Sequence, residues 1–273
     1  MSEPPQARRS VREKLAAGEP ILGTFVMEFA TNGIGRLTDG AGADFVLYDG
    51  EHTGWSWETL AGLLATTRHT GLASWVRVPG HDPSFISRAL DIGAQGVMVP
   101  FVNTPEQATR LASAAKYPPV GTRGAAFGIA HDDYIAGAID DKISTANRDG
   151  LLIAQIESEQ GVHNAAGIAA VDGVDVLFVG PLDLSISLGI PGQFDDERFI
   201  QALTTVAHAA LGQGKGLGIL TTSTRMAETA LGLGYRVIAH SADLWIYQSA
   251  LRNSLERLRE LHATVASRGS TAG

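Results

Sequence analysis

The stretch Asp44 to Gly54, DFVLYDGEHTG, decides how the rest of the chain is read. Phe45, Val46, Leu47 and Tyr48 form an unbroken apolar run. A strand wetted on one face would alternate, so this run suits a parallel strand covered on both sides. Asp49, Glu51 and His52 then crowd around Gly50, where the strand must end. Chemistry gathered at the carboxyl tip of a buried strand is the habit of α/β barrels and of doubly wound open sheets.

Seven more runs of the same kind lie outward from it. They are ILGTFVM from Ile21, ASWVRVP from Ala73, GVMVPFV from Gly96, LLIAQIES from Leu151, VDVLFVGP from Val174, GLGILTT from Gly216 and RVIAHSAD from Arg236. Helical patterns separate them. DDERFIQALTTVAHAALGQG carries Asp195 and Asp196 as caps and places Phe199, Ile200, Leu203, Val206 and Leu211 at helical spacing. TPEQATRLASAAKYPP has Thr104 to cap it, Pro105 in its first turn and Pro118–Pro119 to stop it.

Eight strands alternating with helices over about 250 residues predict a (β/α)8 TIM barrel spanning residues 1–273 as one domain. A doubly wound sheet is the rival that periodicity alone does not separate. An amphipathic helical segment at about 243–264 follows the last strand, with a flexible tail expected after about 265. The region from Tyr117 to Tyr134 is long for a simple connection and is expected to cover an active site.

Composition excludes several classes. The chain has 273 residues, 44% of them hydrophobic and 18% charged, with a net charge of −8. That balance suits a soluble globular protein and argues against a nucleic-acid or anionic-membrane surface. No apolar run approaches the roughly 18 residues of a membrane span, and the amino terminus lacks the apolar centre of a secretory signal, so a cytoplasmic location is expected. There is no cysteine, which removes thiolate catalysis and Cys-type zinc sites.

The polar residues at strand ends carry the chemistry. Glu157 ends the fifth strand and Asp183 follows the sixth. Two carboxylates on neighbouring strand ends repel unless something positive lies between them. An all-oxygen site completed by water and substrate fits Mg²⁺ or Mn²⁺, whereas two exposed acids, or acids paired with arginine, are the plainer reading. None of the four lysines, Lys14, Lys116, Lys142 and Lys215, stands where a Schiff base would need it. His52 is the proton carrier suggested by its setting, and Arg77 suits a substrate carboxylate or a developing enolate oxygen. His69, His81, His131, His163, His208, His240 and His262 are read as surface or structural.

Six motifs, in order, resemble those of the class II pyruvate-dependent aldolases, the 4-hydroxy-2-oxoheptanedioate and 2-keto-3-deoxyglucarate aldolase group. They are LYDGEHTG, VRVPG, RALDIGAQGVMVPFVNTPEQA, KYPPVGTRG, IAQIESEQGVHN and VDVLFVGPLDLSISLG, and the likeness runs from about Ile21 to Ala250. The resemblance implies a barrel of the phosphoenolpyruvate/pyruvate-binding type. It also implies a divalent cation, Mg²⁺, Mn²⁺ or Co²⁺, on Glu157 and Asp183. Arg77 would meet the enolate oxygen, His52 would act as acid/base with Asp91 as its dyad partner, and Gln155 would lie near the cation and pyruvate. Gly180, Pro181 and Leu182 match a carboxylate-binding turn, and Arg123 lies in the GTRG loop.

The implied reaction is reversible cleavage of a 4-hydroxy-2-oxo acid to pyruvate, or hydroxypyruvate, and an aldehyde. The implied assembly is a homo-hexamer, a trimer of dimers, that exchanges its terminal helix. Two departures bear on selectivity: Leu182 replaces a smaller residue, and the first strand lacks a tryptophan for which Phe25, Val26 or Leu220 would substitute. Alternative readings are a β-acyl-CoA lyase or decarboxylase on the same barrel, a phosphate-binding isomerase, and a non-catalytic sensor.

Overall fold

The computed structural model describes residues 9–270, with side chains described to Val265. All eight apolar runs are strands: β1 (Ile21–Val26), β2 (Phe45–Asp49), β3 (Ala73–Arg77), β4 (Gly96–Val99), β5 (Leu151–Ile156), β6 (Val176–Val179), β7 (Gly216–Thr221) and β8 (Val237–Ala242). They close in sequence order into one parallel barrel, β1 pairing with β8, which settles the choice between barrel and open sheet.

Alternation on each strand divides the apolar residues into two layers. Phe25, Phe45, Trp75, Met98, Ile153 and Phe178 fill the barrel interior, with Phe45 and Trp75 stacked at 4.2 Å. Val46, Val76, Val97, Leu152, Leu177 and Ile219 face outward against the helices. Gly96 is required by packing rather than by its dihedrals, because a Cβ there would sit 2.7 Å from Trp75 Cδ1. Each fully buried ring contributes about 1.5–3 kcal/mol of transfer free energy, so the wall that carries the chemistry is stiff.

Helix ends follow the expected signals. Thr104 caps the helix Pro105–Ala115 with a reciprocal Gln107 contact, and Asp196 caps Glu197–Gly212. The C-terminal helix is longer than the sequence suggests: it runs from Asp243 to Ser270, past the point where a tail was expected, and residues 271–273 lie outside the described part. Among the described residues no helix is long and apolar enough to cross a membrane.

The segment from Tyr117 to Tyr134 corrects an expectation. It lies at the amino-terminal end of the barrel, where Arg123, His131 and Asp132 join Ala73 and Leu151 around a cavity of about 760 Å³. The cause is topological: the segment follows a helix that has carried the chain back down from the rim. It does not cover this chain's own strand tips. Several charged groups facing that cavity are already paired, Arg123 with Asp91, Lys142 with Asp132 and Arg68 with Asp133, and it lies at the end opposite the strand tips, so its volume does not mark it as the reaction centre.

Candidate active site

Register sets the first part of the site. β2 and β3 pair so that Asp49 stands opposite Arg77. Arg77 Nε and Nη2 each donate to an Asp49 oxygen at 2.8 Å, a bidentate pair with both residues buried. The guanidinium also lies 5.1 Å from the centroid of the Phe25 ring, which supports it from below. Burial alone would lower the Arg77 pKa, but the hydrogen bonds and charge of Asp49, with Glu51 and Glu157, outweigh it and raise the value. Asp49 also accepts the backbone N–H groups of Glu51 (3.0 Å) and His52 (3.3 Å). One buried carboxylate therefore both shapes the turn after β2 and aims Arg77.

His52 is exposed at the mouth, its Nε2 3.7 Å from Glu51 Oε2. Arg77 Nη1 approaches the same Glu51 oxygen to 3.2 Å but is not aligned for a hydrogen bond, so that buried oxygen has an ion-pair neighbour and no hydrogen-bond donor. Burial pushes the Glu51 carboxyl up; Arg77 and His52 pull it down, and Asp49 and Asp183 add to the rise.

The second part is built by β5 and β6. Glu157 is 1% exposed; its Oε1 accepts the Phe101 N–H at 2.7 Å and its Oε2 accepts from Gln155 Nε2 at 2.7 Å. Gln155 Oε1 is buried with no partner. Gly180 makes this packing possible, since a Cβ there would overlap Glu157 Oε2 and sit 2.7 Å from Gln155 Nε2. Pro181 opens the short helix Pro181–Ser187 and is buried; Leu182 is exposed beside it, and Asp183 is partly buried in the first turn.

Burial drives the Glu157 pKa to about 8; the Phe101 hydrogen bond and Arg77 oppose the rise, and the charges of Glu51 and Asp183 add to it. Asp183 thus acts electrostatically on both Glu157 and Glu51.

A divalent cation fits this donor set. Four carboxylates, Asp49, Glu51, Glu157 and Asp183, face a single guanidinium, two buried acceptor oxygens lack hydrogen-bond donors, and burial, with the charges of Glu51 and Asp183, pushes the Glu157 carboxyl up. Among the described residues no three His, Asp or Glu side chains converge as a ready-made cage. Two carboxylates would leave most positions to water and substrate oxygens, as magnesium sites commonly do.

Within one chain the structure departs from the sequence reading at two residues, Asp91 and Val26. Asp91 ends the helix Pro83–Asp91 and pairs with Arg123 at 2.6 Å, at the amino-terminal end of the barrel. It does not meet His52 within one chain, because a residue just before a strand lies at the end opposite the strand tips. Val26 packs in the outer layer and lines nothing at the mouth, whereas Phe25 faces inward and Leu220 packs against the inner layer.

Three contributors carried no sequence signal. Phe101 supplies the Glu157 hydrogen bond through its backbone. His81, read as surface or structural, bonds the Pro100 carbonyl at 2.7 Å. Asp243 ties down the turn after β1 by accepting from Met27, Glu28 and Phe29 N–H groups at 2.9, 3.1 and 2.7 Å.

All four lysines lie toward the other end. Lys14 pairs with Asp44, Lys116 donates to Asn147 and Gly150 carbonyls at 2.8 and 2.7 Å, Lys142 pairs with Asp132, and Lys215 bonds Val171. Among the described residues no lysine amine stands at the strand tips for an imine.

Comparisons with known proteins agree with the barrel. Residues 25–250 match the family described as HpcH/HpaI aldolase/citrate lyase. A hydroxypyruvate/pyruvate aldolase of Delftia acidovorans is 37% identical over 250 residues, covering 92% of each chain. A 4-hydroxy-2-oxovalerate aldolase of Novosphingobium aromaticivorans is 36% identical over 255 residues, covering 92% of this chain and 95% of the relative. The crystal structure of an HpcH/HpaI aldolase from Desulfitobacterium hafniense superposes with a TM-score of 0.87 at 30% identity, covering 93% of this chain and 98% of that one. The barrel, the carboxylate-rich strand tips and these likenesses together place the chain in the HpcH/HpaI aldolase/citrate lyase family.

Proposed function

We propose that this aldolase reversibly cleaves a 4-hydroxy-2-oxo acid into pyruvate, or hydroxypyruvate, and an aldehyde, using a divalent cation, Mg²⁺ or Mn²⁺, held by Glu157 and Asp183. The observation that carries the reading is the geometry of Glu157, buried at the strand tips on the Phe101 N–H and Gln155 Nε2 with Glu51 and Asp183 as acidic neighbours. The names of the relatives support an aldolase over an acyl-CoA lyase.

A bound cation would polarise the keto group and hold the adjoining carboxylate. The chain's own residues do the rest. His52, at the open mouth, takes the proton from the 4-hydroxyl; the C3–C4 bond breaks as the C4 oxygen becomes the aldehyde carbonyl, and the bonding pair moves toward the keto oxygen. Arg77, fixed by Asp49, faces the charge that develops there. The pair is prepaid in folding, so the donor need not reorganise as charge builds. The resulting enolate is then protonated at C3 to give pyruvate. Gln155 keeps Glu157 in place, and the Gly180–Leu182 turn is the proposed seat of the substrate carboxylate. Leu182, exposed at this turn, would narrow the donor subsite against substituents on pyruvate.

Assembly extends the proposal. Trp245, Tyr247, Leu251, Leu255, Leu258 and Leu261 leave the helix Asp243–Ser270 with an exposed apolar row, which supports exchange of that helix between subunits of a hexamer. The chain is proposed to act in the cytoplasm, with small molecules as its only partners besides its own copies.

The test is pyruvate release from a panel of 4-hydroxy-2-oxo acids, before and after treatment with EDTA. Activity should vanish in EDTA and return with Mg²⁺ or Mn²⁺; full activity in EDTA contradicts the proposal.

A further inference from the structure

Two residues at the rim belong to one small assembly. Phe101 adopts φ 49°, a left-handed conformation that is rare for a bulky side chain and persists only where neighbours enforce it. The chain enters that conformation through the Pro100–Phe101 peptide. Its N–H donates to Glu157 Oε1 at 2.7 Å, and its C=O receives His81 Nε2 at 2.7 Å. A carbonyl only accepts, so His81 carries its proton on Nε2.

Both bonds end on one planar amide. In a trans peptide the C=O and N–H point in opposite directions, so His81 grips one side of the plate and Glu157 the other. Donation to the carbonyl polarises the amide and strengthens its N–H as a donor, so the two bonds reinforce each other. The next residue locks the plate's downstream side: Val102 N–H donates to the Gln155 carbonyl at 3.0 Å, on the strand that leads into Glu157.

Resting on the cation site proposed above, we propose that His81 and Phe101 are positioning residues for that cation, setting the Glu157 carboxylate through the Pro100–Phe101 peptide. His81 touches neither substrate nor cation; it acts through the amide. Phe101 is needed for its N–H and its backbone shape rather than for its ring.

The test compares His81→Phe, His81→Asn and His81→Gln. Gln reaches far enough to replace the Nε2 donor; Asn falls short, and Phe keeps the bulk without the donor. Two readouts are taken on the full-length protein: the Mn²⁺ dissociation constant by calorimetry, and the Phe101 amide proton shift in cation-free protein.

His81→Phe and His81→Asn should weaken Mn²⁺ binding about five- to tenfold, as loss of one hydrogen bond implies, and should move the Phe101 amide proton upfield. His81→Gln should stay within threefold and keep the signal in place, with thermal midpoints similar throughout. In kinetics, kcat at saturating Mn²⁺ should recover in all three variants. A change below threefold in both Phe and Asn variants, an unmoved Phe101 signal, or a Gln variant as weak as Asn overturns the proposal. Failure of the wild type to bind Mn²⁺ would instead defeat the cation site, and the Phe101 signal would still decide whether the His81 contact sets the amide.

Discussion

Replacing Glu157 with Gln should strengthen the fold while removing the reaction. In the cation-free protein burial pushes the Glu157 carboxyl from the ordinary 4.5 up to about 8. The folded state therefore holds a proton that the unfolded state releases between those values, and stability falls as pH rises through that window. At about 1.4 kcal/mol per pH unit the whole loss is on the order of 5 kcal/mol, complete above pH 8. A neutral amide has no such dependence.

The substitution can also be satisfied sterically. The new carbonyl oxygen can keep the Phe101 N–H, and the new NH₂ can donate to Gln155 once that amide turns over, which gives the unpartnered Gln155 Oε1 a donor. Urea unfolding in EDTA at pH 5, 7 and 9, at one protein concentration, measures the effect. The two proteins should be similar at pH 5, and Glu157→Gln should be the more stable by several kcal/mol at pH 9. Parallel curves for the two proteins from pH 5 to 9 would refute the reasoning, because Glu157 would then not be an uncompensated acid.

Two other substitutions separate the roles of the remaining groups. His52→Ala should leave Mn²⁺ binding unchanged and slow cleavage by about 10²–10⁴-fold, the usual range for a lost general base; a normal rate measured as pyruvate release would remove His52 from proton transfer. Gly180→Ala places a methyl group where Glu157 Oε2 and Gln155 Nε2 sit, so Mn²⁺ affinity should drop at least tenfold while far-ultraviolet circular dichroism stays the same, and unchanged affinity would show that Glu157 is not held as described.

The strands were legible because parallel strands buried on both faces must be written as apolar runs, and each of the eight runs is a strand. The acidic tips were legible for the converse reason: Asp49, Glu51 and Glu157 interrupt those runs where nothing in packing asks for charge. Asp91, just ahead of β4, lies at the far end of its own barrel from His52, so a contact between the two would have to be made between subunits. Arg123 had no assignable partner in the sequence, since its contact with Asp91 spans 32 positions. Phe101 and His81 were hidden for a deeper reason. A positive φ usually announces itself through glycine or asparagine, and a bond made by a backbone amide leaves no mark on side-chain type.

The account rests on a cation between Glu157 and Asp183, and anomalous diffraction from crystals soaked with Mn²⁺ and oxalate tests it most directly. The account predicts one peak per chain at the strand tips, within ligand distance of both carboxylates, with oxalate oxygens completing the shell on the side facing Arg77. Both carboxylates turned away from each other with no peak between them, at Mn²⁺ concentrations that support turnover, would contradict it.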